Sequence, residues 1–448
     1  MAEVSYICKR TVVSTKVMQQ GKFCPLSVFD RVMENNHLLL VLYYQSPPGL
    51  KVGALTAKLR ESVANVLCAY PIITGRLLKT TEGHWMIKCN DAGMRLVEAT
   101  AKGSMDEWLQ NVNREKELQL IHWEPIFHRR YFWSTFYVQL TEFEGGGLAI
   151  GLSCSHLLAD PTCATMFIKA WADTTLFGKM ITPPLFHPLP TPRPLERSTN
   201  CKPYTALIDH YKNTIEKPPQ VSSVKHTTIS LKFDDNAVRS CIAKAIDTDA
   251  SFCREPTPFQ ALAGLFWICI SKVKGRQNGL IDMSLSLDTR KVLRLEKSFF
   301  GNCTVHNKVQ GHGISVSEFS KAVTAIKGVE DEMDNDRVLE LIEWLKRFDY
   351  EHPPWMLSDG LICANMEGVE SYSAIFEAVY KPIHASYYIE PALGEGQVLI
   401  IPSPSSEEES LRRVVMVTLH EDELDKLLGL ELIQQLSPAI LMGLNNQN

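Results

Sequence analysis

One stretch of the chain joins a continuous apolar run to a polar turn and an amphipathic helix. Residues 148–152 are almost entirely apolar, as is typical of a strand buried on both faces. His156 lies in the turn that follows, Asp160 occupies an N-cap position, and Pro161 occupies the first helical position. Apolar residues at helical spacing come next: Cys163, Met166, Phe167, Ala170 and Trp171. The pattern predicts a buried strand, an enclosed turn and a helix.

The same two periodicities alternate along the rest of the chain. Helical spacing marks residues 53–70, 105–112, 237–245, 257–269, 315–327, 338–345 and 422–435. Strand-like runs cover residues 11–15, 37–45, 72–77, 85–88, 94–98, 135–143, 227–233, 280–287, 397–401 and 412–419. Alternation of this kind predicts a mixed α/β protein in which helices flank sheets.

The length of 448 residues predicts two domains, because single cores rarely grow so large. Residues 180–194 carry six prolines, a density that disfavours regular structure and is typical of a stiff, extended connector. We therefore predict an N-terminal domain at residues 1–178, a crossover linker at 179–225 and a C-terminal domain at 226–448.

The amino-acid composition and net charge exclude several classes of protein. With 45% hydrophobic and 22% charged residues and a net charge of -5, the chain resembles an ordinary globular protein and gives no electrostatic case for nucleic acid. Its twelve cysteines are scattered without a C-x-x-C pair, and the first residues show no signal-peptide pattern, which favours reduced thiols in the cytoplasm. No metal site is indicated, and no apolar run reaches the ~20 residues of a transmembrane helix.

The polar turn offers two interpretations for each of its residues. His156 could act as a general base, since a pKa near ~6.5 suits proton abstraction at neutral pH, or it could be a hydrogen-bonded core histidine. Asp160 could cap the helix or pair with a cation. Further along, Arg290 lies two residues after Asp288, a spacing more often seen in a solvated ion pair.

A basic group at the end of one predicted helix also has two interpretations. Lys272, Lys274 and Arg276 could meet phosphate groups, or they could form a solvated face that complements the helix dipole.

An ordered set of segments across nearly the whole chain resembles the plant BAHD acyltransferases, which transfer acyl groups from acyl-CoA to alcohols or amines. The segments are Leu26-Ser-Val-Phe-Asp30, Leu59-Arg-Glu-Ser62, Tyr70-Pro71 to Gly75-Arg-Leu77, Cys89-Asn-Asp-Ala-Gly93, His156-Leu-Leu-Ala-Asp160, Thr257-Pro-Phe-Gln-Ala-Leu262 and Phe300-Gly-Asn302. His-x-x-x-Asp alone has little specificity, but the ordered set is specific.

The resemblance implies two similar mixed-sheet domains, joined by a crossover loop, with a tunnel between them. It implies that His156 and Asp160 are the catalytic residues, with His156 as the general base and Asp160 pointing away from the tunnel. It also implies that Arg290 pairs with Asp160 and supports the site. The small-molecule partners would be an acyl acceptor and acyl-CoA as co-substrate, with no bound cofactor.

Two departures from the family pattern point to a particular branch. The second family signature, Asp-Phe-Gly-Trp-Gly before a Lys-Pro pair, should fall at residues 372–382, where only Phe376 and Lys381-Pro382 match. Pro161 also replaces a glycine. A degraded second signature is similar to the Eceriferum and Glossy wax-biosynthesis branch, which implies an alternative function: a non-catalytic partner of a fatty-acid elongase at the surface of the endoplasmic reticulum that promotes synthesis of very long acyl chains.

Overall fold

The structure of the protein is a computed structural model. It describes residues 3–16, 21–45, 53–81, 83–124, 134–191, 205–216, 225–246, 255–276, 278–348, 353–357, 360–377, 381–404 and 410–443. Among these residues, no helix has both the length and the apolar character needed to cross a membrane.

Strands and helices alternate along the chain. The strands are β1 Val4–Val12, β2 Phe23–Pro25, β3 His37–Tyr44, β4 Arg76–Lys79, β5 Trp85–Lys88, β6 Met94–Ala101, β7 Phe136–Phe143, β8 Leu148–Ser155, β9 His226–Phe233, β10 Met283–Asp288, β11 Thr304–Val309, β12 Leu361–Asn365, β13 Pro382–Glu390, β14 Gly396–Pro402, β15 Arg413–His420 and β16 Ala439–Met442. The helices are α1 Val28–Val32, α2 Ala54–Leu67, α3 Pro71–Thr74, α4 Met105–Asn111, α5 Arg114–Glu117, α6 Pro161–Phe177, α7 Thr205–Glu216, α8 Asp235–Ile246, α9 Pro258–Val273, α10 Phe319–Glu332, α11 Asn335–Arg347, α12 Glu421–Leu428 and α13 Glu431–Leu436.

The chain forms two compact units that exchange segments. Unit 1 comprises Met1–Pro188, Glu296–Asn302 and Val369–Pro391, and unit 2 comprises Leu189–Leu295, Cys303–Gly368 and Ala392–Asn448. The linear boundaries predicted from the sequence, 1–178, 179–225 and 226–448, do not include this exchange. Its physical reason is strand pairing, because β13 lies antiparallel to β3 along the whole of both strands.

Unit 1 is built on a six-stranded mixed sheet in the order β1-β6-β7-β8-β3-β13. β6 and β7 run parallel, and the other neighbours run antiparallel. β8 lies inside the sheet between β7 and β3, and every one of its residues is buried. A small sheet in the order β2-β5-β4 belongs to the same unit. The predicted fully buried strand is thus confirmed, and it ends at the polar turn.

Unit 2 is built on a seven-stranded sheet in the order β11-β10-β12-β14-β15-β9-β16. β12 runs parallel to β10 and β14, and the remaining neighbours run antiparallel. The apolar helix α9 packs against α8 and α10. Both units therefore combine a mixed sheet with helices, and the predicted α/β fold class is confirmed. The tunnel stays a prediction.

Some predicted elements differ from the structure. The strand predicted at residues 11–15 lies earlier in the chain, as β1 at Val4–Val12. Residues 72–77 do not form one strand, because Pro71 starts the short helix α3 and β4 begins only at Arg76. The helix predicted from residue 315 begins at Phe319, although Ser315 does donate its N–H to Glu318. The last predicted helix is interrupted at residues 429–430 and becomes α12 and α13.

Candidate active site

The polar turn between β8 and α6 is fixed at both ends by backbone and side-chain hydrogen bonds. At its start, the His156 N–H donates to the Asn36 carbonyl at 2.9 Å. At its end, Asp160 has extended backbone geometry and its Oδ1 accepts from the Cys163 N–H at 2.9 Å, with Pro161 as the first helical residue. The predicted N-cap is confirmed. Because Asp160 is 1% exposed, this cap lies in the interior.

His156 is held by one asparagine from a distant part of the chain. The side chain is 1% exposed, and its Nδ1 lies 3.0 Å from Asn302 Oδ1. The Asn302 Nδ2 donates to the His156 backbone carbonyl at 2.8 Å. An amide oxygen can only accept, so Nδ1 carries the proton and Nε2 has the lone pair. The imidazole is therefore held in the tautomer that can accept a proton at Nε2.

Asp30 determines the orientation of the Asn302 side-chain amide. Its Oδ1 accepts from the Asn302 backbone N–H at 3.1 Å and from Asn302 Nδ2 at 2.7 Å. Its Oδ2 accepts from the Ser27 N–H at 2.6 Å, within the capping box that begins α1. Because a carboxylate oxygen cannot donate, the Asn302 nitrogen must face Asp30. Its oxygen consequently faces His156.

The segment that carries Asn302 is attached to α6 and to the chain that follows α6. The Gly301 N–H donates to Cys163 Sγ at 3.2 Å, in the first turn of α6. Leu185 donates to the Ser298 carbonyl at 2.8 Å and accepts from the Phe300 N–H at 2.9 Å. Asn302 therefore has a defined backbone position within unit 1.

Burial controls the charge of His156. Removal from water lowers its pKa below the ordinary value, against the opposing effects of the Asp160 charge and the hydrogen bond that the ring donates to Asn302. A histidine with a lowered pKa is neutral at pH 7. The side chain can therefore accept a proton, as a general base must.

A second histidine lies beside the first. His37 pairs in register with Ser155, the residue before His156, and stacks on Trp123 with ring centroids 4.8 Å apart. Burial, together with the neighbouring His156 and Arg114, lowers its pKa to about 4. Sequence reasoning assigned His37 no role, because a single histidine at the start of a strand carries no local signal.

The predicted partner of Asp160 has a firm contact inside unit 2. Arg290 Nη1 lies 2.7 Å from Asp288 Oδ2, and the Arg290 N–H donates to Asp288 Oδ1 at 2.8 Å. Arg290 is buried whereas Asp288 is exposed, so only the Asp288 side of this ion pair is solvated. Its pairing with Asp160 stays a prediction.

Lys274 also differs from the interpretation that the basic group after α9 is a solvated face. Its ammonium lies 3.1 Å from Glu395 and 2.9 Å from Glu423, with a side chain only 9% exposed. The basic group after α9 is therefore partly committed to carboxylates of the same unit.

A model of the Transferase family matches residues 2–428. The chain belongs to the BAHD transferase family. Two similar curated proteins are ECERIFERUM 26-like of Arabidopsis thaliana, 24% identical over 89% of this chain and 88% of its own, and rosmarinate synthase of Plectranthus scutellarioides, 25% identical over 93% and 96%.

Solved structures share the BAHD fold at lower identity. The crystal structure of vinorine synthase aligns with 94% of this chain and 96% of its own residues, with a TM-score of 0.69 and 19% sequence identity. TRI101 of F. sporotrichioides, solved in complex with coenzyme A and T-2, covers 93% and 99%, with a TM-score of 0.71 and 13% identity. Both comparisons establish the fold of this chain.

The stretch that replaces the second BAHD signature is densely packed where the structure describes it. Phe376 is fully buried, with ring contacts to Tyr44 at 5.5 Å and Trp171 at 5.3 Å. Glu377 pairs with Lys58 at 2.8 Å. Residues 378–380 lie outside the described residues. Phe376 therefore keeps the aromatic residue of the BAHD pattern in the core, whereas Glu377 follows it where the pattern has a glycine.

Proposed function

We propose that the protein is an acyl-CoA-dependent acyltransferase that moves an acyl group to an alcohol or amine, with His156 as the general base. The observation that carries the proposal is the Asp30–Asn302–His156 chain of hydrogen bonds, which leaves Nε2 of a neutral, buried imidazole as the acceptor. Membership of the BAHD family supports it, as do a rosmarinate synthase relative and a structural neighbour solved with coenzyme A.

The proposed reaction needs one proton acceptor and no covalent enzyme intermediate. His156 Nε2 takes the proton of the acceptor hydroxyl or amine while the acceptor heteroatom attacks the thioester carbonyl. The tetrahedral intermediate then collapses, the C–S bond breaks, and the imidazolium returns the proton to the departing CoA sulfur. The neutral form of His156 at pH 7 is the form that this first step requires.

Asp160 has a positioning role in this proposal. Its carboxylate fixes the first turn of α6 through Cys163 and thereby the end of the loop that presents His156. Its second proposed contact, with Arg290, is testable by a double-mutant cycle. Asp160→Asn and Arg290→Ala should together cost less than the sum of their single effects on unfolding free energy, because each removes the same ion pair. Full additivity would show that the two side chains do not interact.

The direct test of the proposal is thiol release from acyl-CoAs in the presence of a panel of alcohols and amines. His156→Ala should lower turnover by about 10²–10⁴-fold, because the proton acceptor is lost. His312→Ala, at an exposed histidine of unit 2, is the matched control and should leave turnover unchanged. An unchanged rate in a folded His156→Ala protein would remove His156 from the mechanism.

The packed second-signature stretch favours a second candidate function. Glu377 pairs with Lys58 at the position after Phe376, where the BAHD pattern has a glycine, and one similar curated protein is ECERIFERUM 26-like. In this second proposal the protein works without acyl transfer, as a partner of a fatty-acid elongase that promotes very long acyl chains. The intact hydrogen bonds of His156 favour the enzyme over this partner function.

Complementation separates the two candidates. A plant line that lacks the gene should show altered acyl esters or altered lengths of very long acyl chains. Expression of the His156→Ala form at normal abundance should fail to restore either phenotype if His156 is a working base. Rescue by the variant would contradict the acyltransferase and support the partner function.

A further inference from the structure

Two cysteine sulfurs lie in contact in the small sheet of unit 1. Cys24 Sγ, in the middle of β2, lies 3.5 Å from Cys89 Sγ, which is 65 positions away and directly follows β5. The backbone holds the two segments together, because the Cys89 N–H donates to the Lys22 carbonyl at 2.9 Å and Cys24 pairs with Ile87. The two sulfurs are therefore held in proximity by the sheet.

The two thiols have different surroundings. Cys24 is partly exposed between the exposed residues Phe23 and Pro25, whereas Cys89 is 2% exposed. The hydrogen bond from Cys89, with help from the charge of Lys22, lowers the pKa of Cys24 to about 6, although partial burial opposes the shift. A thiol of this kind is largely thiolate at neutral pH, and the thiolate is the form that reacts with oxidants.

We propose that Cys24 and Cys89 are a reversible oxidation site that forms an intramolecular disulfide with hydrogen peroxide. In the first step the Cys24 thiolate attacks one peroxide oxygen, the O–O bond breaks, and water and a sulfenic acid result after proton uptake. In the second step Cys89 sulfur attacks the Cys24 sulfur, the S–O bond breaks, and a second water leaves. Two thiols and one peroxide thus give one disulfide and two waters.

The disulfide would form at the start of the segment that leads to Asp30, six residues before it in the chain. β2 runs into the capping box at Ser27, and the Asp30 of that box holds Asn302 against His156. A bond between Cys24 and Cys89 would tie the start of this segment to β5. It would also restrict the unfolded chain by closing a long loop, and should raise the melting temperature of the oxidised protein by a few degrees.

Peptide mapping tests the site without reference to transferase activity. Trypsin cleaves after Lys22, Arg31, Lys88 and Arg95, so each cysteine lies alone in a short peptide, residues 23–31 and residues 89–95. After the intact protein is treated with hydrogen peroxide and free thiols are blocked, the two peptides should appear joined, with the loss of two hydrogen atoms. Dithiothreitol should separate them.

Three variants make the result specific. Cys24→Ser and Cys89→Ser should each abolish the joined peptide and the rise in melting temperature. Cys68→Ser, at another partly exposed cysteine of unit 1, should leave both unchanged. Separate peptides after peroxide, with Cys24 overoxidised or joined to another cysteine, would overturn the proposal, and so would a melting temperature that does not rise with the joined peptide present.

Discussion

At the residue scale, the candidate site depends on the orientation of a single amide. Asn302 uses its nitrogen for Asp30 and for the His156 carbonyl, and its oxygen for the His156 ring. If the amide turned over, its nitrogen would face Nδ1 and its oxygen would face the Asp30 carboxylate. Both pairs would then be mismatched in a buried place, where an unsatisfied polar group costs about 1–3 kcal/mol. The Asp30 carboxylate therefore selects the histidine tautomer from two hydrogen bonds away.

Replacement of Asn302 by alanine tests this orientation through the dependence of rate on pH. The hydrogen bond that His156 donates to Asn302 raises the pKa of His156, so its loss should lower that pKa further. The acid limb of kcat/KM should move to lower pH, since the neutral base then persists there, while kcat falls by about 10²-fold because the tautomer is no longer fixed.

An exposed asparagine supplies the control for this experiment. Asn111→Ala removes a hydrogen bond at the end of α4 and should leave the rate and its pH profile unchanged. An Asn302→Ala enzyme with the parental kcat and acid limb would contradict the orienting role.

At the element scale, β8 requires a residue without a side chain at one position. A Cβ on Gly151 would lie 2.0 Å from the Leu120 carbonyl oxygen, which belongs to the short 3₁₀ segment Leu118–Leu120 that crosses β8. Backbone atoms cannot move aside as a flexible side chain can. The close approach of this segment to the strand that leads to His156 is therefore possible only with glycine.

Gly151→Ala should destabilise the protein by about 1–3 kcal/mol, because β8 and the crossing segment must separate. Gly328→Ala is the matched control, since Gly328 is exposed within α10 and a Cβ there meets nothing within 4 Å. That change should stabilise by up to about 1 kcal/mol through helix propensity. Urea unfolding of the two variants measures both effects, and equal midpoints would contradict the packing argument.

Local patterns predicted some elements well and others not at all. β8 and α6 were predictable because one is a pure apolar run and the other has an N-cap, a proline and helical spacing. β13 was missed, because the buried polar residues His384 and Ser386 interrupt its apolar pattern and are hydrogen-bonded to each other in the interior. β11, β12 and β16 were missed as well.

The candidate site likewise contains some residues that a local pattern could identify and others that it could not. His156 and Asp160 could be proposed from their own turn, but the roles of Asp30 and Asn302 could not. Their mutual hydrogen bonds join residues 272 positions apart, and no local pattern encodes such a contact. Both residues entered the sequence argument only as members of family motifs.

At the scale of the whole molecule, unit 1 draws on three separate segments of the chain. Glu296–Asn302 supplies the asparagine that orients His156, and Val369–Pro391 supplies β13. Without β13, the N–H and C=O groups along one side of β3 have no strand partner. An unpaired apolar edge of this kind favours aggregation.

A fragment of residues 1–178, expressed alone, should therefore fail to form a stable monomer. It lacks β13 and Asn302, so we expect aggregation and no cooperative thermal transition in circular dichroism. The full chain in the same buffer is the reference and should show a cooperative transition. A monomeric fragment that unfolds cooperatively would mean that the first 178 residues form an independent domain.

The pairing of β3 with β13 also has a consequence during protein synthesis, because β3 is synthesised long before β13. The Tyr44 hydroxyl of β3 donates to the Ala374 carbonyl, 330 residues later in the chain. At translation rates of about 5–20 residues per second, β3 leaves the ribosome tens of seconds before β13 is synthesised. During that interval a nascent chain exposes an apolar strand edge. Molecular chaperones that shield such edges should therefore contact this protein while it is still attached to the ribosome, and release it only after residue 390 has emerged.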